Sequence, residues 1–146
     1  MSGRFWLALA LVLGIATPVL ADEKAECEYL EISAASGKEP AIDAELKALE
    51  KKLKKPPFSS WNTFHTLASG HLALPKLKPE TQKLKQGQAT LLLRDRTEKR
   101  LELTITIDDA GGKRVIDNKQ SANAGDWLLF GQNVGDNGHI LALTCK

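Results

Sequence analysis

Aromatic residues make up only 5% of this 146-residue sequence, which holds two cysteines, one methionine and one tyrosine. Its core must therefore be aliphatic, built from Leu, Ile, Val and Ala. A redox or metal site made of thiols is excluded, since such sites need close spacing such as C-x-x-C or additional ligands. Catalytic signatures are also missing. There is no G-x-S-x-G nucleophile elbow, no H-E-x-x-H zinc pair, no glycine-rich phosphate loop ending in Lys-Ser or Lys-Thr, and no Asp-rich calcium loop. The histidines number three. His65 and His71 lie six residues apart, about 20 Å along a continuous strand, so they cannot share a metal without a sharp bend. Asp108-Asp109 and Asp136-Asn137-Gly138 have the composition of turns rather than of cation sites. The sequence assigns no catalytic residue, cofactor or metal.

What is present begins with a leader. Arg4, the apolar run from Phe5 to Ile15, the break at Thr17-Pro18 and the small-residue end Val19-Leu20-Ala21 have the order of a secretory signal peptide cleaved after Ala21. The run is interrupted by Gly14 and Pro18, and a stable membrane span needs roughly 20 apolar residues. Residues 22–146 are then expected to form one domain, periplasmic or secreted, with no transmembrane segment.

Cys27 and Cys145 both lie in this exported part, one near each end, and in an oxidising compartment they are expected to pair. The pairing would close a long loop and make the first and last strands neighbours.

Charge is nearly balanced overall but unevenly laid out. Residues 22–46 carry 2 basic and 8 acidic side chains, residues 47–100 carry 13 and 4, and residues 101–146 carry 4 and 6. A basic middle region in an exported protein points to an anionic lipid surface, an acidic glycan or an acidic envelope protein. Nucleic acid is not expected outside the cytoplasm. Lysines solvating a helix and strand faces would give the same layout.

Hydrophobic periodicity predicts strands around one helix. Glu26 to Ala34 alternates, placing Cys27, Tyr29 and Glu31 opposite Leu30, Ile32 and Ala34. From Asp43 to Lys54 the period changes: Leu46, Leu49 and Leu53 share a helical face, Asp43 is placed to cap the first turn, and Pro56-Pro57 ends the helix, expected near 43–55. Its stripe is expected to pack on a sheet. Trp61 to Leu74 reads as extended, with a break near Ser69-Gly70, and Thr81 to Lys85 as a short strand before Gly87. Ala89 to Asp95 and Lys99 to Asp108 form a hairpin with one buried face. A polar segment follows around Arg114 to Ser121, and Asp126 to Gln132 with Gly138 to Cys145 makes a closing hairpin. About seven short strands with such turn spacing predict a mainly β fold, an antiparallel β-sandwich with one short amphipathic helix, or alternatively a small β-barrel.

Phe58, Trp61 and Phe64 cluster beside a rigid diproline and next to Lys51, Lys52, Lys54 and Lys55, which makes this stretch the candidate interaction surface. The same aromatics would also serve to plug the end of the sandwich where the helix crosses it. Trp127 belongs to the core or its edge. The run Lys55-Pro56-Pro57-Phe58-Ser59-Ser60-Trp61-Asn62, the strand Gly125-Asp126-Trp127-Leu128-Leu129 and a last strand ending in Cys145 resemble small uncharacterised exported bacterial proteins of myxobacterial type, with Trp61 where Tyr is usual. That resemblance implies a secreted β-rich domain and supplies no activity.

These features favour a non-enzymatic exported binding or structural protein of the cell envelope. A hydrolase or metal-dependent enzyme assembled from His65, His71, His139, Asp108 and Asp136 is an alternative, and an inhibitor or accessory subunit of an exported enzyme is another. The enzyme requires two or more of those five side chains to meet around a cleft.

Overall fold

The computed structural model describes residues 23–146, so the leader expected over residues 1–21 lies outside the described residues. The fold is mainly β, as the periodicity predicts. Its strands are β1 (Lys24–Ala35), β2 (Ala41–Ile42), β3 (Thr63–Pro75), β4 (Glu80–Leu84), β5 (Gly87–Arg96), β6 (Arg100–Asp108), β7 (Arg114–Asn123), β8 (Trp127–Val134) and β9 (Asn137–Cys145). They make two sheets. The first has the order β2-β3-β1-β9-β8 and the second β4-β5-β6-β7. All pairings are antiparallel except the two-residue contact of β2 with β3 and a single parallel bridge, Lys76 to Leu93, that joins the sheets.

Alternation along β1 sets the layering. Ala25, Cys27 and Tyr29 point toward the second sheet, where they meet Leu91, Leu93, Leu101, Leu103, Ile105 and Ile107. Leu30, Ile32 and Ala34 point the other way and are covered by the segment between β2 and β3. The first sheet is thus buried on both faces over part of its length, which explains why β9 is buried at every position from Gly138 to Leu143.

That covering segment differs from the expected helix in kind. It is a 3-10 turn over Ala44–Leu49 followed by one α-helical turn, α1 (Glu50–Leu53), and a second 3-10 turn over Phe58–Ser60. The leucine spacing explains the switch. Three residues separate Leu46 from Leu49, which a 3-10 turn stacks on one side, and four separate Leu49 from Leu53, which suits an α-turn. All three leucines are fully buried against the sheet.

Three further expectations need correction. Asp43 does not cap the segment with its side chain, because its carboxylate is turned onto β3. No break occurs at Ser69-Gly70. Gly70 lies opposite Tyr29, and a Cβ there would sit 2.7 Å from the tyrosine ring, so the glycine admits an aromatic lid within a continuous strand. The irregularity falls instead at Leu67, the extra residue between Thr66 and Ala68 where β3 shifts register against β1. Finally, the polar stretch from Arg114 is strand β7, an edge strand held by β6 on one side only. Counting β2 and β7 gives nine strands rather than seven.

Cys27 and Cys145 form the expected disulfide, and β1 and β9 are neighbours. Glu26 and Lys146 exchange both backbone hydrogen bonds (2.8 and 2.9 Å). The next pair along, Cys27 and Cys145, is therefore a non-hydrogen-bonded pair, where strands approach most closely; their Cα atoms are 4.1 Å apart. No helix among the described residues is long and apolar enough to cross a membrane.

Candidate functional site

The basic face of the covering segment is the feature that local sequence builds most directly. With Leu46, Leu49 and Leu53 turned inward, Lys47, Lys51, Lys52, Lys54 and Lys55 are all forced outward and are exposed. Lys54 pairs with Glu50 at 2.9 Å, one turn away. Among the described residues Lys51, Lys52 and Lys55 have no acidic partner.

The aromatics of the candidate surface do a different job. Trp61 and Phe64 are 9% and 5% exposed and belong to the cluster beneath the cover. The Trp61 indole N–H donates to the Asp136 carbonyl at 3.2 Å, tying the cover to the β8–β9 turn. Phe58 is half-buried, lying where a Cβ on Gly131 would come within 2.8 Å of its ring. These rings fill the layer between the cover and the outer face of the first sheet, not the end of the sandwich as expected, and the surface left open to a partner is the lysines with the exposed edge of Phe58.

A groove of about 480 Å³ runs between this cover and the β7–β8 corner. Lys52, Lys55 and Arg100 stand around it, Gln120 and Asn123 add amides, and Trp127 lies in its wall. Asp126 is its one carboxylate. On the opposite flank of the cover a more apolar groove of about 490 Å³ is lined by Ile42, Leu53, Trp61 and Phe64, with the Glu50–Lys54 pair at its rim.

The five residues of the enzyme alternative are dispersed. His65 Nδ1 lies 2.9 Å from Asp43 Oδ1, and the Thr66 N–H donates to the other Asp43 oxygen at 2.8 Å. These contacts, the histidine first, hold the Asp43 carboxyl below its ordinary range. His71 is exposed on β3, Asp108 pairs with Arg114 at 3.2 Å, and Asp136 contributes its backbone carbonyl to Trp61. None of the five bonds another, and among the described residues no group of three His, Cys, Asp or Glu side chains is placed to hold a metal.

His139 instead finds a partner that sequence reading passed over. Its Nε2 lies 2.7 Å from Oε2 of Glu31, and the two side chains are 2% and 0% exposed. The Lys85 and Gln86 N–H groups donate to the two oxygens of the same carboxylate at 2.8 and 2.9 Å. Burial by itself would raise the Glu31 carboxyl, but the hydrogen bond from His139 and those from Lys85 and Gln86 outweigh it and hold it below the ordinary carboxylate range. An ionised carboxylate only accepts, so His139 Nε2 carries the proton. The pair pins the β4–β5 turn of one sheet to the other sheet. With no exposure and its oxygens already bonded, it offers nothing to a substrate.

No family model matches the chain, and no curated protein matches it. The T2SS secretin XcpQ from Pseudomonas aeruginosa, determined by cryo-electron microscopy, is similar to this chain over 84% of its length at 12% identity and a TM-score of 0.39. The chain spans 57% of that secretin chain, and a likeness at this level assigns neither fold nor function.

Proposed function

We propose that this chain is a non-enzymatic, exported binding protein of the cell envelope, and that the basic cover with its adjoining groove is where it meets an anionic partner. One observation carries the reading: Lys52, Lys55 and Arg100 converge on one groove without an acidic partner among the described residues, apart from the nearby Asp126. Unpaired cations cost little on a solvated surface and attract an anion over a Debye length, about 10 Å at moderate salt. Export is supported by the leader pattern of residues 1–21 and by a disulfide, which persists in oxidising compartments. The dispersion of His65, His71, His139, Asp108 and Asp136 removes the arrangement on which the enzyme alternative rests.

Crosslinking in the intact envelope, followed by identification of the captured component, tests this reading. The expected result is an acidic component crosslinked through residues 47–58 and released by high salt. Capture through other surfaces, or capture indifferent to salt, would overturn it.

A further inference from the structure

Beside the basic groove, the open half of the first sheet's outer face carries a second arrangement. Register places His71 opposite Glu28, Glu28 opposite Thr144, and Thr144 opposite Trp127. Directly paired residues point to the same face, so these four side chains form one cross-strand row over β3, β1, β9 and β8, about 14 Å long at ordinary strand spacing. They line a shallow depression of about 440 Å³.

None of the four side chains makes a hydrogen bond or ion pair among the described residues. The outer face of the second sheet is different, because there Ser121 bonds Glu102 at 2.6 Å, Arg94 meets Glu102 and Arg114 meets Asp108. The two tryptophans differ in the same way. The Trp61 N–H is spent on Asp136, while Trp127 is only half-buried and its N–H has no protein partner among the described residues. An imidazole, a carboxylate, a hydroxyl and an indole in line thus keep their full hydrogen-bonding capacity on an open face. Trp127, packed on one side against the cluster beneath the cover, lines both this depression and the basic groove, so the two adjoin at that residue.

We infer that the row His71, Glu28, Thr144 and Trp127 binds saccharide, and that the ligand is an acidic oligosaccharide bridging the row and the basic groove. An uncharged ring lies against Trp127 with its hydroxyls meeting Glu28, His71 and Thr144, and an anionic substituent enters between Lys52, Lys55 and Arg100. Trp127 suits this place because an indole gives a sugar ring a flat apolar face and a polar edge. Glu28 accepts from hydroxyls but repels anions, so it selects the uncharged part for the row and leaves the charge to the lysines. This assignment rests on the anion-binding reading above and names its ligand class.

Calorimetry on the exported protein with a uronic-acid oligosaccharide, and with its carboxyl-reduced neutral counterpart, tests it. The acidic oligomer is expected to bind at least tenfold more tightly. Trp127→Ala should weaken both ligands at least tenfold, Trp127→Phe should restore part of that loss, and Glu28→Ala, at an exposed position, should weaken both without affecting the fold. The double change Lys52→Glu with Lys55→Glu should weaken the acidic oligomer alone. Saccharide binding that ignores Trp127 and Glu28 overturns the row while leaving the anion-binding reading in place. Binding of anionic-lipid vesicles with no saccharide binding does the same. Failure of the saccharides and the vesicles alike overturns both.

Discussion

Glu31 and His139, 108 residues apart in sequence, meet at 2.7 Å in the interior with almost no solvent exposure. The carboxylate takes one hydrogen bond from a strand of its own sheet and two from the β4–β5 turn of the other, which makes it the polar rivet of an otherwise aliphatic fold. Replacing it with alanine leaves one buried donor, His139, and two part-buried ones, the Lys85 and Gln86 N–H groups, without that acceptor. Breaking a buried pair of this kind costs about 3 kcal/mol, so Glu31→Ala should lower the urea midpoint strongly, with the exposed change Glu28→Ala as a neutral control.

The same carboxylate gives the acid limb of stability its sign. The Glu31 carboxyl in the folded chain lies below its ordinary value of 4.5. As pH falls through that ordinary value the unfolded chain takes up the proton first, so its contribution, fully present above 4.5, is lost progressively until the folded group titrates. Asp43, Glu50 and Asp95 are shifted the same way and add to the slope. Glu31→Gln should flatten the fall of unfolding free energy with decreasing pH below 4.5 without abolishing it, as measured by denaturation at a series of pH values.

Much of this architecture was legible because alternation and turns report one buried face at a time. Leu101, Leu103, Ile105 and Ile107 declared the inner side of β6, and the two cysteines declared the adjacency of β1 and β9. β7 was not legible, because an edge strand with Asp117, Lys119 and Ser121 exposed, Val115 and Ile116 turned partly inward and Ala122 its one buried residue carries no apolar period. The Glu31–His139 pair had a signal that went unused. Alternation already set Glu31 on the inward face with Cys27 and Tyr29, and counting back from the disulfide in antiparallel register puts His139 opposite Ser33, diagonal to Glu31. The row ending at Trp127 needed β3 and β8 placed in register with β1 and β9, which local sequence does not provide.

The disulfide should act on the unfolded chain more than on the native one. Its cysteines already face each other in the ladder, held by the flanking Glu26–Lys146 backbone bonds. On the chain-entropy model a loop of this length is worth on the order of 4 to 5 kcal/mol. The double change Cys27→Ser with Cys145→Ser is expected to cost up to that amount in chemical denaturation, with the strand spectrum of the folded form kept. The exported chain should also lack two hydrogens by intact mass and begin at Asp22, and two free thiols would contradict the pairing.

Charge on the cover should separate binding from stability. Lys51, Lys52 and Lys55 are exposed and have no acidic partner among the described residues, so reversing all three to glutamate removes no native contact. The expected change in unfolding free energy is small, within about 0.5 kcal/mol. Retention on an anionic matrix should fall at least tenfold, and the remaining binding should lose most of its salt dependence.

Gly138 tests how the cover is seated. It lies at the start of β9, and a Cβ built on it would stand 2.6 Å from Cη2 of Trp61, inside the van der Waals envelope of the ring. The indole cannot simply tilt away, because its N–H is engaged by the Asp136 carbonyl and its other side belongs to the cluster with Leu46, Leu49 and Leu53. Gly138→Ala must therefore displace the ring, break that hydrogen bond or shift β9, and overpacking of this kind costs about 2 kcal/mol. The expected signature is a lowered melting temperature together with a red shift of tryptophan emission as the indole gains water. Trp127 touches the edge of the same cluster but stands at the start of β8, opposite Thr144, whereas Gly138 lies opposite Asn133 near the other end of that strand. Saccharide binding measured at Trp127 should therefore fall less than the stability of the cover.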